Sequence, residues 1–186
     1  SLVKQLDELA GSAADVPMLA HTHGQPATPV TLGKEIAVFA HRLRRQIRRI
    51  ENTEYLGKIN GATGTWAAHR IGVPTANWPL LAKAFVEHLG LKWNPLTTQI
   101  ESHDWQSELY SDISRANRIM HNLATDCWSY ISMGYFHQNL AGQGSTGSST
   151  MPHKVNPIRF ENAEANLEIS SALLETLSAT LVTSRL

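Results

Sequence analysis

Residues Thr31–Glu51 read TLGKEIAVFAHRLRRQIRRIE, and their apolar positions repeat with the period of an α-helix. Successive apolar residues lie four, three, four, four and three positions apart. They are Leu32, Ile36, Phe39, Leu43, Ile47 and Ile50. Because one apolar stripe runs the whole length of this segment, we predict a long helix that packs against other helices.

The opposite face of this predicted helix is rich in arginine. The residues are Arg42, Arg44, Arg45, Arg48 and Arg49. A solvated face or a contact between subunits explains such a run of charges more readily than phosphate binding does. We therefore assign these arginines no binding role.

The same periodicity predicts three further helices. One runs from Trp105 to about Phe136, one begins after Pro157, and a shorter one covers Trp78–Leu89 and is stopped by Gly90. No run alternates for long enough to predict a strand. Helices of this length exceed the average of about 11–12 residues, so we predict an all-α fold, an elongated bundle of long helices.

Composition bounds the class of protein. The 186 residues are enough for one domain with a core, and 16 basic and 16 acidic residues balance, which favours neither a nucleic-acid nor a membrane partner. Only one cysteine, Cys127, is present, and no stretch approaches the roughly 20 apolar residues of a membrane span. We therefore expect a cytoplasmic protein, because a reducing compartment suits a chain without disulfides.

Both ends of the sequence lie inside helical patterns. Ser1–Ala10 is already periodic without a capping signal, and the C-terminal apolar pattern reaches residue 186 without a glycine or proline stop. We therefore expect residues 1–186 to be one helical domain that is incomplete at both ends and belongs to a longer protein.

Residues capable of chemistry collect in four segments between the predicted helices, where function usually resides. The segments are His21–Pro29 (HTHGQPATP), Asn60–Thr65 (NGATGT), Asn94–Asp104 (NPLTTQIESHD) and Gly144–Pro157 (GSTGSSTMPHKVNP).

Several kinds of site are poorly supported by these segments. The nine histidines include no H-E-x-x-H pair and no Cys/His set with zinc spacing, so we predict no metal. Gly142 and Gly147 have the spacing of a phosphate loop, but serine follows Gly147 where lysine is required. A nucleophile elbow is also absent, because Thr150 stands where its second glycine should be.

Acid–base chemistry remains. Histidine as a residue type suits a proton donor, which makes His23 a candidate, and Ser148 could act if its glycine-flanked loop closed over it. Lys154 could hold a carboxylate, and Asn156 could donate hydrogen bonds. A structural histidine and a plain linker explain the same residues, and nothing in the pattern alone joins the segments into one site.

A family resemblance joins them. The segment GSSTMPHKVNP, Gly147–Pro157, resembles the motif G-S-S-x-M-P-x-K-x-N-P of the fumarase/aspartase superfamily of lyases. His153 occupies the variable position and is similar to the branch that cleaves adenylosuccinate and to the related carboxymuconate cycloisomerases. Thr22–Glu35, Thr97–Asp104 and Lys154–Leu167 also resemble the former branch, so the resemblance covers nearly the whole chain.

The resemblance implies a β-elimination without a cofactor. Adenylosuccinate would be cleaved to AMP and fumarate, and the succinyl-carboxamide ribotide of purine synthesis would also release fumarate. It casts Ser148 as the base and His23 as the acid. The substrate-binding residues that it implies are Thr22, Gln99, Ser149, Lys154, Val155, Asn156 and Asn162.

The resemblance also implies the central helical domain of a homotetramer whose active sites draw on three subunits. Family residues from other domains are missing, so we expect the isolated chain to be inactive. His21 stands where relatives often carry arginine, and it receives no role. Alternatives are another superfamily lyase or cycloisomerase, which Gln99 argues against, and a non-catalytic assembly protein, which His23 and Ser148 argue against.

Overall fold

A computed structural model describes residues 1–139, 150–151 and 153–185. The helices in these ranges are α1 (Leu2–Ser12), α2 (Leu32–Glu51), α3 (Ala67–Gly72), α4 (Trp78–His88), α5 (Asp104–Ser132) and α6 (Ile158–Leu181). The strands are β1 (Pro17–Thr22), β2 (Gln25–Thr31), β3 (Leu56–Gly57) and β4 (Lys92–Trp93). The chain divides into two compact units: unit 1 is Ser1–Arg48 with Ile113–Leu173, and unit 2 is Arg49–Asp112 with Leu174–Leu186.

The predicted mostly helical fold is confirmed. Each predicted helix is found within a few residues of its expected bounds, and the largest difference is at α5, which ends at Ser132 rather than near Phe136. Gly134, with φ of +77°, ends that helix earlier. None of the described helices is both long and apolar enough to cross a membrane.

The core of unit 1 forms where α1, α2 and α5 meet. Its buried residues are Leu6, Ile36, Phe39, Ala40, Leu43 and Ile119. Helices α1 and α2 approach closely at Gly33, whose N–H donates to the Ala13 carbonyl at 2.9 Å. A Cβ atom at Gly33 would lie 2.7 Å from the Ala14 Cα, so only glycine fits this contact.

Polar contacts join α5 to α6 within unit 1. Asn117 Nδ2 donates to Ser170 Oγ at 2.9 Å, and Trp128 Nε1 donates to Glu161 Oε1 at 3.1 Å. Asn117, in the middle of α5, bonds Ser170, whereas Trp128, near the end of α5, bonds Glu161 at the start of α6. The two helices are therefore antiparallel. The Trp128 bond joins the last turns of α5 to the first turn of α6.

The prediction of a loop without strands at His21–Pro29 is wrong. Strands β1 and β2 pair antiparallel there, from Pro17 opposite Thr31 to Thr22 opposite Gln25. Five of the seven residues of β2 are exposed, so burial does not alternate along it. Prolines are tolerated because a two-stranded sheet consists only of edges.

Candidate active site

His23 lies at the tip of the β1–β2 hairpin. His23 and Gly24 form its two-residue turn, and their φ angles are +54° and +71°. Positive φ at both central residues is the signature of a type I′ turn, whose twist matches that of the strands. Histidine is among the few side chains that accept this conformation. The hairpin therefore presents an exposed imidazole, with Thr22 next to it at the end of β1.

The body of the hairpin contacts the end of α5 within unit 1. The Tyr135 hydroxyl donates to the Leu19 carbonyl at 3.4 Å, and the Tyr135 ring meets the His21 ring edge-on with centroids 5.6 Å apart. His21, for which no role was predicted, is thus one of the points at which the hairpin contacts the end of α5.

Lys154, Val155 and Asn156 lie together in the segment before α6. The Lys154 Nζ donates to Asn156 Oδ1 at 2.5 Å, and both side chains are exposed. Gln138 Nε2 donates to the Val155 carbonyl at 3.1 Å, which holds the backbone between them. An ammonium beside an amide is a suitable partner for a carboxylate, because both groups can donate hydrogen bonds to it.

Asn162 follows this segment in the second turn of α6. The first turn begins at Pro157, whose carbonyl accepts from the Phe160 N–H at 3.0 Å. The Asn162 side chain is exposed, and its Oδ1 accepts from Asn166 Nδ2 at 3.2 Å. Four of the predicted substrate-binding residues, from Lys154 to Asn162, are therefore grouped around one helix end.

Gln99 lies in unit 2, in the segment that connects β4 to α5. Asn60 Nδ2 donates to Thr97 Oγ1 at 2.7 Å, and Asn60 is only 2% exposed. Gly64, with φ of +76°, is so close that a Cβ atom there would lie 3.0 Å from the Thr97 carbonyl carbon. The predicted chemistry-bearing segments Asn60–Thr65 and Asn94–Asp104 thus pack together, and Asn60 positions the segment that carries Gln99.

Sequence reasoning missed Asn60 as a support of the site. Asn60 begins one of the four predicted chemistry-bearing segments, but nothing in that segment indicated that its amide would be buried. Lys58 Nζ donates to Asn60 Oδ1 at 2.9 Å, so both ends of the amide are used. An asparagine buried and bonded in this way fixes the relative position of two loops.

The pKa values of three titratable side chains on α5 are raised. Burial, with help from Glu35 and Asp126, raises the pKa of Tyr130 to about 12, and burial raises the pKa of the Cys127 thiol to about 11. Burial and Glu35 also raise the pKa of Asp126, and Arg42 opposes that increase. At neutral pH Tyr130 is therefore an uncharged ring beneath Tyr135, on which it stacks at 6.0 Å.

Two of the predicted site residues, Ser148 and Ser149, lie outside the described residues. Within residues 1–139, 150–151 and 153–185, no group of three or more His, Cys, Asp and Glu side chains could hold a metal ion.

Comparison with known proteins identifies the family. A family model described as "Lyase" matches residues 1–168, and the chain belongs to this lyase family. The chain is 48% identical over 184 residues to adenylosuccinate lyase of Escherichia coli strain K12, a match that covers 99% of the chain and 40% of that enzyme. It is 48% identical over 189 residues to adenylosuccinate lyase of Dictyostelium discoideum, with 100% and 40% covered. With adenylosuccinate lyase of Vibrio cholerae it shares 46% identity over 186 residues, with 100% and 41% covered. The chain thus spans about 40% of the length of these relatives.

Proposed function

We propose that the full-length protein containing this chain is a cytoplasmic adenylosuccinate lyase. It cleaves adenylosuccinate to AMP and fumarate, and it releases fumarate from the succinyl-carboxamide ribotide of purine synthesis. The observation that carries the proposal is the 48% identity over 184 residues to an enzyme of that name. The match covers the hairpin, the Gln99 segment and the Lys154–Asn162 segment.

Ser148 removes the proton beside the substrate carboxylate in this proposal. Serine is a weak base at its ordinary pKa, so the site must stabilise the alkoxide with positive charge and with N–H groups directed at the Oγ. Exclusion of water from the site strengthens such interactions. Ser149, next to it, contributes to substrate binding.

Lys154 and Asn156 stabilise the negative charge that this step creates. Removing a proton beside a carboxylate produces a dianionic aci-carboxylate. The Lys154 ammonium and the Asn156 amide are 2.5 Å apart and exposed, so both can turn toward the same oxygen atoms. Donors aimed at developing charge contribute about 3–4 kcal/mol each in well-ordered sites. Val155, Asn162, Thr22 and Gln99 complete the contacts to substrate.

His23 protonates the departing nitrogen. Its position at an exposed hairpin tip leaves both ring nitrogens accessible to a substrate. A general acid of this kind supplies roughly 10²–10⁴-fold in rate. The exposed tip also allows a site formed with other subunits, because His23 is open to solvent in the single chain.

The proposal includes a homotetramer. Helix α6 carries large apolar side chains on its exposed surface in unit 1, and Ile169 and Leu173 are 64% and 63% exposed. Exposed apolar residues that follow one another at helical spacing are typical of surfaces covered by another subunit. A bundle pooled from several copies would cover them.

Turnover by the full-length protein tests the proposal. Adenylosuccinate is added to the wild type and to Ser148→Ala, His23→Asn and Ser12→Ala, and the change in ultraviolet absorbance is followed. Ser12, whose hydroxyl bonds the Leu9 carbonyl in α1, provides the matched control for removal of a serine hydroxyl. We expect kcat to fall by roughly 10²-fold or more in the first two variants and to stay near the wild-type value in the control.

Each result has a defined meaning. If Ser148→Ala turned over at the wild-type rate, another residue would be the base. If His23→Asn did so, another residue would be the acid. No turnover by the wild type would contradict the proposed substrate. A protein that only kept the fold would also show no increase in melting temperature with AMP and fumarate, whereas an enzyme is stabilised by binding them. The isolated 186-residue chain should be inactive, and turnover by it would contradict the expectation of a shared, larger site.

A further inference from the structure

We propose that Tyr135 positions the hairpin turn that carries His23, a role that rests on the function proposed above. The Tyr135 hydroxyl bonds the Leu19 carbonyl at 3.4 Å, four residues before His23. Its ring meets the His21 ring edge-on, at 5.6 Å and 65°, two residues before His23. One aromatic side chain thus holds the strand that leads directly to the acid.

The end of α5 determines where Tyr135 lies. Gly134 adopts φ of +77°, its N–H donates to the Ile131 carbonyl at 3.1 Å, and the Tyr135 N–H donates to the Tyr130 carbonyl at 2.8 Å. These two bonds define a Schellman motif. The motif usually includes a contact between the two residues that its outer bond joins, and here the Tyr130 and Tyr135 rings stack at 19°. Tyr135 is therefore fixed by a rigid helix end.

The Leu19 carbonyl is available because of the sequence of β2. Leu19 pairs with Pro29, which has no N–H to donate across the strands. The register shifts by one residue between Leu19 and His21, which disrupts the ladder further. Two side chains bond this carbonyl instead of Pro29: His21 Nδ1 at 3.1 Å and the Tyr135 hydroxyl at 3.4 Å.

The hairpin is loosely packed beside this contact. A groove of about 460 Å³ is lined by Val16–Leu19 and Leu32 on the hairpin side and by Gly134–Phe136 on the side of α5. Close packing therefore does not fix the hairpin along the groove. The contacts of Tyr135 at Leu19 and His21 restrict its motion instead, and with it the position of the imidazole.

Replacing Tyr135 tests this role in the full-length protein. Tyr135→Leu removes both the hydroxyl and the ring, and we expect kcat to fall about tenfold with KM little changed, since misplacing a catalytic group by about 1 Å is costly. Tyr135→Phe keeps the ring contacts and should restore most of the rate. Tyr55→Leu is the matched control, because the Tyr55 ring contacts Trp105 in unit 2.

A double-mutant cycle separates positioning from general stability. If Tyr135 acts through His23, Tyr135→Leu should lower kcat much less in a His23→Asn background than in the wild type. Equal losses in the two backgrounds, or a loss in Tyr55→Leu as large as in Tyr135→Leu, would overturn the proposal.

Hydrogen exchange keeps the test independent of the proposed function. Amides of residues 17–31 should exchange faster in Tyr135→Leu than in Tyr55→Leu, because the contacts of Tyr135 with Leu19 and His21 are lost. Unchanged exchange would overturn the inference even if the wild type were inactive toward adenylosuccinate. If the wild type were inactive toward adenylosuccinate, faster exchange in Tyr135→Leu would still support the positioning role of Tyr135. Only the proposed substrate would then be wrong.

Discussion

The backbone of His23 limits which replacement can report on its chemistry. With φ of +54°, a residue such as alanine pays about 1–2 kcal/mol for the left-handed conformation, whereas asparagine accepts it readily. Alanine would therefore disturb the turn as well as remove the imidazole. Asparagine removes the titrating group and leaves the turn in place, so His23→Asn separates the two effects.

Cys127 is expected to react slowly with thiol reagents. Burial raises the pKa of its thiol from 9.0 to about 11, and only the thiolate is nucleophilic. At pH 7.5 the thiolate fraction is thus about a hundredfold smaller than that of an ordinary thiol. Modification by a disulfide reagent should be slower by about that factor in the folded protein than in the urea-unfolded protein, and it should still accelerate above pH 9. Equal rates in the two states would contradict the raised pKa.

At the scale of elements, the contact between α1 and α2 depends on one glycine. Gly33→Ala would place a methyl group 2.7–2.8 Å from backbone atoms of Ala13 and Ala14, and backbone cannot rotate away. We expect the free energy of unfolding to fall by about 3 kcal/mol, at the upper end of overpacking costs. Urea denaturation measures it.

Gly11→Ala is the matched control for this change. Gly11 lies in α1, and a Cβ atom there would meet nothing within 4 Å. Alanine is the better helix former, so stability should rise by about 0.5 kcal/mol. If both variants lost the same stability, close packing at Gly33 would not be the cause.

Regular elements were predictable where the sequence carries a period. The stripe of α2 and the proline before α6 gave bounds within a residue or two. Hairpin β1–β2 carries no such period, because β2 contains two prolines and is mostly exposed. The bond between Tyr135 and Leu19 could not be predicted from the sequence either. It joins residues 116 positions apart and depends on a helix cap and a register shift.

Only part of the candidate site could be predicted from the sequence. Sequence motifs led to the prediction of Thr22, His23, Gln99 and the Lys154–Asn162 segment as site residues, because their residue types and spacing resemble those of a family. They could not give the type I′ turn that presents His23, or the buried Asn60 that supports the Gln99 segment. Those features arise from backbone geometry and burial, which local residue type does not determine.

For the whole molecule, assembly should depend on the exposed apolar surface of α6. In the full-length protein, Ile169→Glu combined with Leu173→Glu should prevent formation of the proposed tetramer, because a charge cannot be buried unpaired at low cost. Ile71→Glu, at an 84% exposed position in α3, is the control and should assemble normally. Sedimentation velocity distinguishes the species. A tetramer that survived the double change would remove α6 from the interface.

Unit 1 is built from two segments of chain with residues 49–112 between them, and this has a consequence during synthesis. The ribosome adds roughly 5–20 residues per second, so the 116 residues from Leu19 to Tyr135 take roughly 6–23 s. The β1–β2 hairpin can form within microseconds of leaving the ribosome, long before Tyr135 has been synthesised. In a nascent chain the hairpin that carries His23 therefore lacks its contact with Tyr135, which forms only when the end of α5 has left the exit tunnel.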